Sequence, residues 1–236
     1  MKEMRDREQL LDYLHVHQLE SIFNEPLLPH LSLYSFDQGE LICSQGEPSQ
    51  YLYVLVKGKL KIYTTSAEGK TLILSFFTPL EVIGDIEYVQ GTEMINTVEA
   101  VSPCYMIGVH HRWLEKYMKD HSPWLQFLLK IITQKFYLKS NSMSFNLMYP
   151  VEVRLASYLL SVSYDETDSL FKGQLSIASL RDVANLIGTS YRHLNRVLQQ
   201  LGTEGLIERY KGSILVKDRE RLSVLASHSI NNKMGE

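Results

Sequence analysis

The sequence is short of cysteine and of long apolar runs, and both shortages exclude whole classes of protein. Cys43 and Cys104 are its only cysteines, and they are far apart with no CxxC pair. Two isolated cysteines supply neither a disulfide framework nor the four ligands of an iron–sulfur cluster. No run of about 18 apolar residues occurs, and the chain does not start like a secretory signal. We therefore expect a soluble, cytoplasmic protein with no membrane segment.

Charge is unevenly distributed along the 236 residues, a length that suggests two domains. The net charge of −3 is unusual for a nucleic-acid binder. However, residues 1–149 carry 13 Lys or Arg and 17 Asp or Glu, whereas residues 150–236 carry 11 and 10. Thr71–His111 contains no Lys or Arg, and Val183–Thr203 contains no Asp or Glu. For binding, the local charge of a surface matters more than the net charge of the chain.

The first half of the chain reads as one helix followed by many short strands. Residues 4–23 place leucines among charges at helical spacing, which predicts a leading helix. From Leu31 to Val109, short runs rich in Val, Ile, Leu, Tyr and Phe alternate with glycine turns. This pattern of short apolar runs and glycine turns predicts a β-sandwich or barrel.

A much longer helix is predicted from Pro123 to Met148. Its apolar residues follow coiled-coil spacing, interrupted at Lys139. Such a stripe either packs against its own domain or forms a seam between two copies, and the length of this helix favours dimerisation. Pro150 then interrupts the pattern, so we place a hinge near Tyr149–Pro150. The predicted seam consists of Leu125, Leu129, Ile132, Phe136 and Met143.

The stretch after Leu180 has the spacing of a helix-turn-helix motif. Gly188 permits a sharp turn, and Ser190 is placed to cap the second helix. Small or apolar residues at the remaining key positions predict the packing of one helix on the other. These inward positions are Val183, Ala184, Leu186, Ile187, Leu194 and Val197.

The outward face of the second helix carries side chains of the kinds that bind DNA. Arg192 and Arg196 are four residues apart and therefore adjacent on the helix surface. Cations, hydroxyls and amides bind phosphates and the acceptor edges of bases. Two predicted strands around Lys211–Gly212 form a wing, from which Arg209, Lys211 and Lys217 could reach phosphates. The outward set is Tyr191, Arg192, His193, Asn195, Arg196 and Gln199.

From about residue 30 to 220 the chain resembles the CRP/FNR superfamily of bacterial transcription factors. The motifs that carry the resemblance are YSFDQGELICSQGEPSQYLYVLVKGKLKIY, VIGDIEYVQGTEMINTVEAV and RDVANLIGTSYRHLNRVLQQLGTEGLI. GTSYRHL is most similar to the YeiL branch. The resemblance implies an α+β fold. It consists of an N-terminal antiparallel β-barrel of the cyclic-nucleotide-binding jelly-roll type, a long dimerisation helix and a C-terminal winged helix-turn-helix. The expected boundaries are 1–120, 121–149 and 150–236.

The resemblance also implies partners and site residues. Tyr191, Arg192 and Arg196 would touch bases of double-stranded DNA, Ser190 would meet a phosphate or cap its helix, and His193 would lie beside them. The regulator would be a homodimer on a two-fold symmetric site, with the helix from Pro123 to Met148 as its interface. If it is an activator, RNA polymerase is a further partner. No catalytic residue, cofactor or metal is expected.

The corresponding effector pocket would involve Gly84, Asp85, Met94 and Ile95. Cyclic-nucleotide receptors of the family bind the phosphate with an Arg after a Gly-Glu step. Here the step is Gly84-Asp85, but the Arg position holds Met94, followed by Ile95. The surrounding stretch carries five acidic residues and no cation, which would repel a phosphate. We therefore expect a regulator that cyclic AMP does not control, with an unknown effector.

Eight histidines leave a haem sensor with a His axial ligand open as a possibility. Three further alternatives remain open. The first is a cyclic-nucleotide-dependent regulator of the same fold. The second is a cupin-like metalloenzyme, because His15 and His17 have a similar spacing to a metal motif, although a helix would separate them. The third concerns Cys43 and Cys104, which either are inert in the core or form a thiol switch.

Overall fold

The computed structural model describes residues 1–69, 71–162, 174–176, 180–210 and 213–231. The chain divides into two compact units, Met1–Leu138 and Lys139–Glu236. The division falls within the long helix Ser122–Met148. Each unit has its own apolar core, so each is described by itself.

The N-terminal unit contains two antiparallel sheets, in agreement with the expected fold class. One sheet has the strand order β1-β2-β9-β4-β7 and the other β3-β8-β5-β6. The strands are β1 (Lys2–Met4), β2 (Ser32–Phe36), β3 (Leu41–Cys43), β4 (Tyr51–Lys57), β5 (Leu60–Thr65), β6 (Thr71–Phe77), β7 (Glu81–Ile83), β8 (Thr97–Ala100) and β9 (Cys104–His110).

Strand β4 shows why the YLYVLV run is almost continuously apolar. Leu52 and Val54 pack in a core with the helices, whereas Tyr53 and Leu55 pack in a core with the second sheet. Because successive side chains point to opposite faces, a strand that is covered on both faces needs apolar residues at every position.

The helices of this unit are α1 (Arg7–Val16), α2 (Asp85–Gln90), α3 (His111–Tyr117) and the part of α4 (Ser122–Met148) that ends at Leu138. The leading helix predicted over residues 4–23 was too long. Lys2–Met4 instead pairs with β2, and Asp6 caps α1 by accepting a hydrogen bond from the Gln9 N–H at 2.9 Å. The chain after α1 continues in short 3-10 turns.

Helix α4 uses different faces for its apolar residues. Trp124 and Leu128 are buried in the core of the N-terminal unit. The predicted seam is largely uncovered, with Leu129 63%, Phe136 74% and Met143 63% exposed. The packing of Trp124 and Leu128 therefore leaves most of the predicted seam exposed.

The C-terminal unit is a helical core with a small sheet. Its helices are α5 (Val151–Val162), α6 (Leu180–Leu186), α7 (Tyr191–Thr203) and α8 (Arg219–Asn231). Its strands are β10 (Gln174–Ser176), β11 (Ile207–Tyr210) and β12 (Ser213–Val216), in the order β10-β12-β11. The predicted wing strands are confirmed as β11 and β12, while β10 was not anticipated. Lys211 and Gly212 lie outside the described residues.

Candidate nucleic-acid interface and effector site

Helices α6 and α7 pack together as the sequence spacing predicted. Val183 and Ala184 on α6 and Leu194 and Val197 on α7 are each at most 1% exposed and share one core. A small Ala184 side chain lets the two helices approach closely. The helix-turn-helix packing is therefore confirmed, although Leu186, which was predicted to face inward, is only half-buried.

The turn between the two helices depends on Gly188 and Arg154. Gly188 has a φ of +65°, in the left-handed region that glycine adopts most readily. The Arg154 guanidinium donates hydrogen bonds to the carbonyls of Ile187 and Gly188. Asn146, near the end of α4, donates from Nδ2 to the Leu186 carbonyl at 3.4 Å. These contacts satisfy carbonyls that α6 leaves unpaired at its end.

Ser190 directly precedes α7 and caps it. Its backbone is extended, and its Oγ accepts a hydrogen bond from the His193 N–H at 3.1 Å. The predicted cap is confirmed. An accepting hydroxyl still has its own proton to donate, so Ser190 can also meet a phosphate oxygen.

The outer ridge of α7 consists of Arg192, Arg196 and Gln199, all exposed. Tyr191 is 43% exposed at the start of the helix, and His193 is half-buried on one side. The guanidinium carbon of Arg181, on α6, lies 5.8 Å from the Tyr191 ring centre. Arg181 was not predicted as part of the interface, because it lies on the helix that precedes α7.

Two cations of the wing have partners of different charge. Lys217 Nζ lies 2.9 Å from Glu208 Oε2, so its charge is compensated. Arg209 Nη2 donates to Asn195 Oδ1 on α7 at 2.9 Å. The sequence predicted an equivalent role for these cations, but the structure gives Lys217 an acidic partner and Arg209 a neutral one.

In the effector region, Asp85 is bound by Lys135, a contact that was not predicted from the sequence. Gly84 has a φ of +86°, and a Cβ there would lie 2.7 Å from the Tyr51 carbonyl oxygen. The next residue, Asp85, is 2% exposed, and both of its oxygens lie 2.9 Å from Lys135 Nζ on α4. Lys135 Nζ also contacts Glu81 Oε1 at 3.1 Å. Burial raises the pKa of the Glu81 carboxyl, and Lys135 partly opposes this shift.

Met94 and Ile95, at the position of the missing arginine, lie in different environments. Met94 is 6% exposed and packs in the core between the sheets, whereas Ile95 is 44% exposed. The Ile95 N–H donates to Oε1 of Glu87 at 3.0 Å, and Glu87 is itself 6% exposed. A carboxylate of the protein therefore occupies a backbone donor in the loop where the family's receptors bind a phosphate.

Cys43 and Cys104 lie on strands of different sheets and are both free thiols. Burial raises the pKa of Cys43 to about 12 and that of Cys104 to about 11. Thiolates are the reactive form, so these values favour the inert interpretation over a thiol switch.

The histidines that suggested a metal site have other contacts. His17 Nε2 lies 2.9 Å from the Val56 carbonyl oxygen, and His15 Nδ1 lies 3.3 Å from Glu20 Oε2. Within the described ranges, no three side chains of His, Cys, Asp or Glu gather as a metal site. Among the described helices, none combines the length and apolar character needed to span a bilayer.

Comparison with known proteins assigns both units. Residues 33–121 match the cyclic nucleotide-binding domain family, and residues 153–225 match the Crp-like helix-turn-helix domain family. The regulatory protein YeiL of Escherichia coli O157:H7 is 28% identical over 88% of this chain and 93% of its own length.

More distant relatives also match most of the chain. A CRP-like cAMP-activated global transcriptional regulator of Mycobacterium tuberculosis is 22% identical over 84% of this chain and 89% of its own length. A CRP/FNR-family regulator from Thermus thermophilus has the same fold, with a TM-score of 0.68, 20% identity and coverage of 83% of this chain and 98% of that one. With both domains present in the same order, the chain belongs to the CRP/FNR family of transcription regulators.

Proposed function

We propose that the protein is a homodimeric, cytoplasmic regulator that reads specific DNA sequences with α7 and is not controlled by cyclic AMP or cyclic GMP. It has no catalytic role in this proposal. The observation that carries the DNA-reading part is the division of α7 into two faces. Leu194, Val197, Leu198 and Leu201 are buried, and Arg192 and Arg196 are exposed opposite them.

The exposed face suits a major groove. Arginine pairs bidentately with O6 and N7 of guanine, which is the commonest specific contact between proteins and DNA. We assign base contacts to Tyr191, Arg192 and Arg196, and a phosphate contact to Ser190. His193, on the half-buried side, would contact the backbone or an adjacent base.

Selection of duplexes from a random library by the purified protein tests this assignment. A two-fold symmetric dimer is expected to enrich two inverted half-sites whose centres are about one helical turn, roughly 10 base pairs, apart. A set of selected sequences no different from the starting library would refute specific recognition.

Dimerisation is supported by the uncovered seam of α4. Four of the five predicted seam residues, Leu125, Leu129, Phe136 and Met143, are between 46% and 74% exposed, whereas Ile132 is half-buried. An exposed apolar stripe marks an interaction surface, and its coiled-coil spacing, interrupted only at Lys139, suits a second copy of the same helix. If the dimer activates transcription, RNA polymerase is its further partner.

The effector part of the proposal depends on Met94, Glu87 and Lys135. Met94 offers no charge to a cyclic phosphate, and the Glu87 carboxylate already accepts the N–H of Ile95. Asp85, at the position of the family's acidic residue, is bound to Lys135. A nucleotide would therefore have to displace buried contacts and bring its phosphate close to the Glu87 carboxylate.

Calorimetric titration of the purified protein with cyclic AMP and with cyclic GMP tests this part. We expect no saturable heat beyond that of the matched control, 5′-AMP. The competing candidate is a nucleotide-activated regulator, which the match of residues 33–121 to the cyclic nucleotide-binding domain family favours. Saturable binding at micromolar concentration would establish that candidate.

A further inference from the structure

A hydrogen-bonded chain joins α7 to the wing. Arg209, on β11, donates from Nη2 to Asn195 Oδ1 at 2.9 Å. Asn195 in turn donates from Nδ2 to the Tyr191 carbonyl at 3.0 Å. An exposed Asn on a recognition helix can pair with adenine through both ends of its amide. Here both ends are already engaged within the protein, so Asn195 serves another purpose.

The hydrogen bond between Arg209 and Asn195 leaves the charge of Arg209 uncompensated. Throughout the described residues, no acidic side chain forms an ion pair with Arg209, whereas the neighbouring Lys217 is paired with Glu208 at 2.9 Å. A neutral amide fixes the guanidinium without cancelling its charge. Arginine has five N–H donors, so further donors remain for an anionic acceptor.

The hydrogen bond to Asn195 places Arg209 beside the ridge of α7. Successive helix residues are about 100° apart, so Asn195 lies on the flank of the ridge formed by Arg192 and Arg196. Asn195 is half-buried, whereas the two ridge arginines and Arg209 are exposed. A cation on the flank of a helix in the major groove faces the sugar–phosphate backbone at the groove edge rather than the base edges.

We infer that Arg209 binds a DNA phosphate and that Asn195 is its positioning residue. The inference rests on the proposed DNA-reading function and deepens it. Arg209 would add affinity for any duplex, whereas Arg192 and Arg196 would supply the preference for one sequence. Lys217, whose charge Glu208 compensates, would contribute little to either.

The test measures binding of Arg209→Ala to a selected operator and to a scrambled duplex over a range of salt concentrations. We expect both affinities to fall by a similar factor, roughly threefold to tenfold. The slope of log affinity against log salt should decrease by about 1 for each protomer, because one phosphate contact fewer releases fewer counterions. Arg209→Lys, which keeps the charge, should retain most of the slope.

Two controls separate this role from others. The double variant Glu208→Gln/Lys217→Gln removes a compensated pair and should bind like the wild type. Asn195→Ala keeps the Arg209 charge but releases it, so affinity should fall less than in Arg209→Ala, and sequence preference should be unchanged. A change of preference in Asn195→Ala would overturn the inference, because it would make Asn195 a base reader.

Arg196→Ala in the same assay distinguishes failure of the inference from failure of the proposed function. Normal binding and slope in Arg209→Ala, alongside weakened operator binding in Arg196→Ala, would overturn the inference alone. Loss of operator binding but not scrambled-duplex binding in Arg209→Ala would also overturn it. Unchanged operator binding in Arg196→Ala would count against the proposed function and the inference together.

Discussion

Replacing Arg192 or Arg196 with alanine is expected to weaken binding to the selected operator by roughly 1 to 3 kcal/mol for each residue. Both side chains are exposed on α7, so their truncation removes contacts to DNA and leaves the helix packing intact. Binding to a scrambled duplex should fall much less, because base contacts and not phosphate contacts distinguish sequences. Fluorescence anisotropy on both duplexes, at one fixed salt concentration, measures the difference.

The matched control is Lys119→Ala, which removes the same charge from an exposed position of the N-terminal unit. It should leave operator affinity within about twofold of the wild type, as expected of a remote exposed charge in screening salt. Circular dichroism should show that each variant melts like the wild type. Unchanged operator affinity in both arginine variants would contradict the assignment of α7 as the reading helix.

Replacing Lys135 with methionine is expected to destabilise the N-terminal unit by about 3 to 5 kcal/mol, the cost of removing one partner from a buried ion pair. Lys135 lies 2.9 Å from Asp85 and 3.1 Å from Glu81, and side-chain exposures of 16%, 3% and 10% leave little water to compensate. The only two tryptophans of the chain, Trp113 and Trp124, lie in this unit. Urea unfolding followed by tryptophan fluorescence therefore reports this unit selectively.

The loss of stability in Lys135→Met should depend on pH in a defined direction. Burial already raises the pKa of Glu81, and removing Lys135 takes away the charge that opposes this shift. A carboxyl whose pKa is raised in the folded state favours folding at low pH and loses that contribution as the pH rises. Lys135→Met should therefore be less destabilised near pH 5 than near pH 8.

Lys130→Met, at an exposed position of the same helix, is the control and should change stability little. Adding Asp85→Asn and Glu81→Gln to Lys135→Met should restore part of the loss, since the buried charges disappear together. Lys135→Met as stable as the wild type at pH 8 would show that the ion-pair cluster does not hold α4 on the sheet.

The parts of the fold that depend on local spacing were predictable from the sequence. Gly188 and Ser190 have the conformation and the cap that a helix-turn-helix requires at those positions. The wing strands and α4 follow from turn residues and helical periodicity in the same way. Such features need only neighbours a few residues away, so the sequence contains the information directly.

The parts that depend on distant pairs were not predictable in this way. The Lys135–Asp85 contact joins residues 50 positions apart, and the strand pairing of Lys2–Met4 depends on β2. One signal was available for Lys135, because it continues the spacing of Trp124, Leu128 and Ile131 on the face of α4 that packs on its own unit. A lysine there predicts a buried acidic partner.

Sequencing of duplexes selected in parallel by the wild type and by Arg196→Ala tests the central claim most directly. If α7 reads bases, the wild type should enrich an inverted repeat with half-sites about one helical turn apart. The variant should lose preference at the same position of each half-site and keep it elsewhere. An identical motif, enriched equally by both proteins, would contradict the claim that this helix reads the DNA.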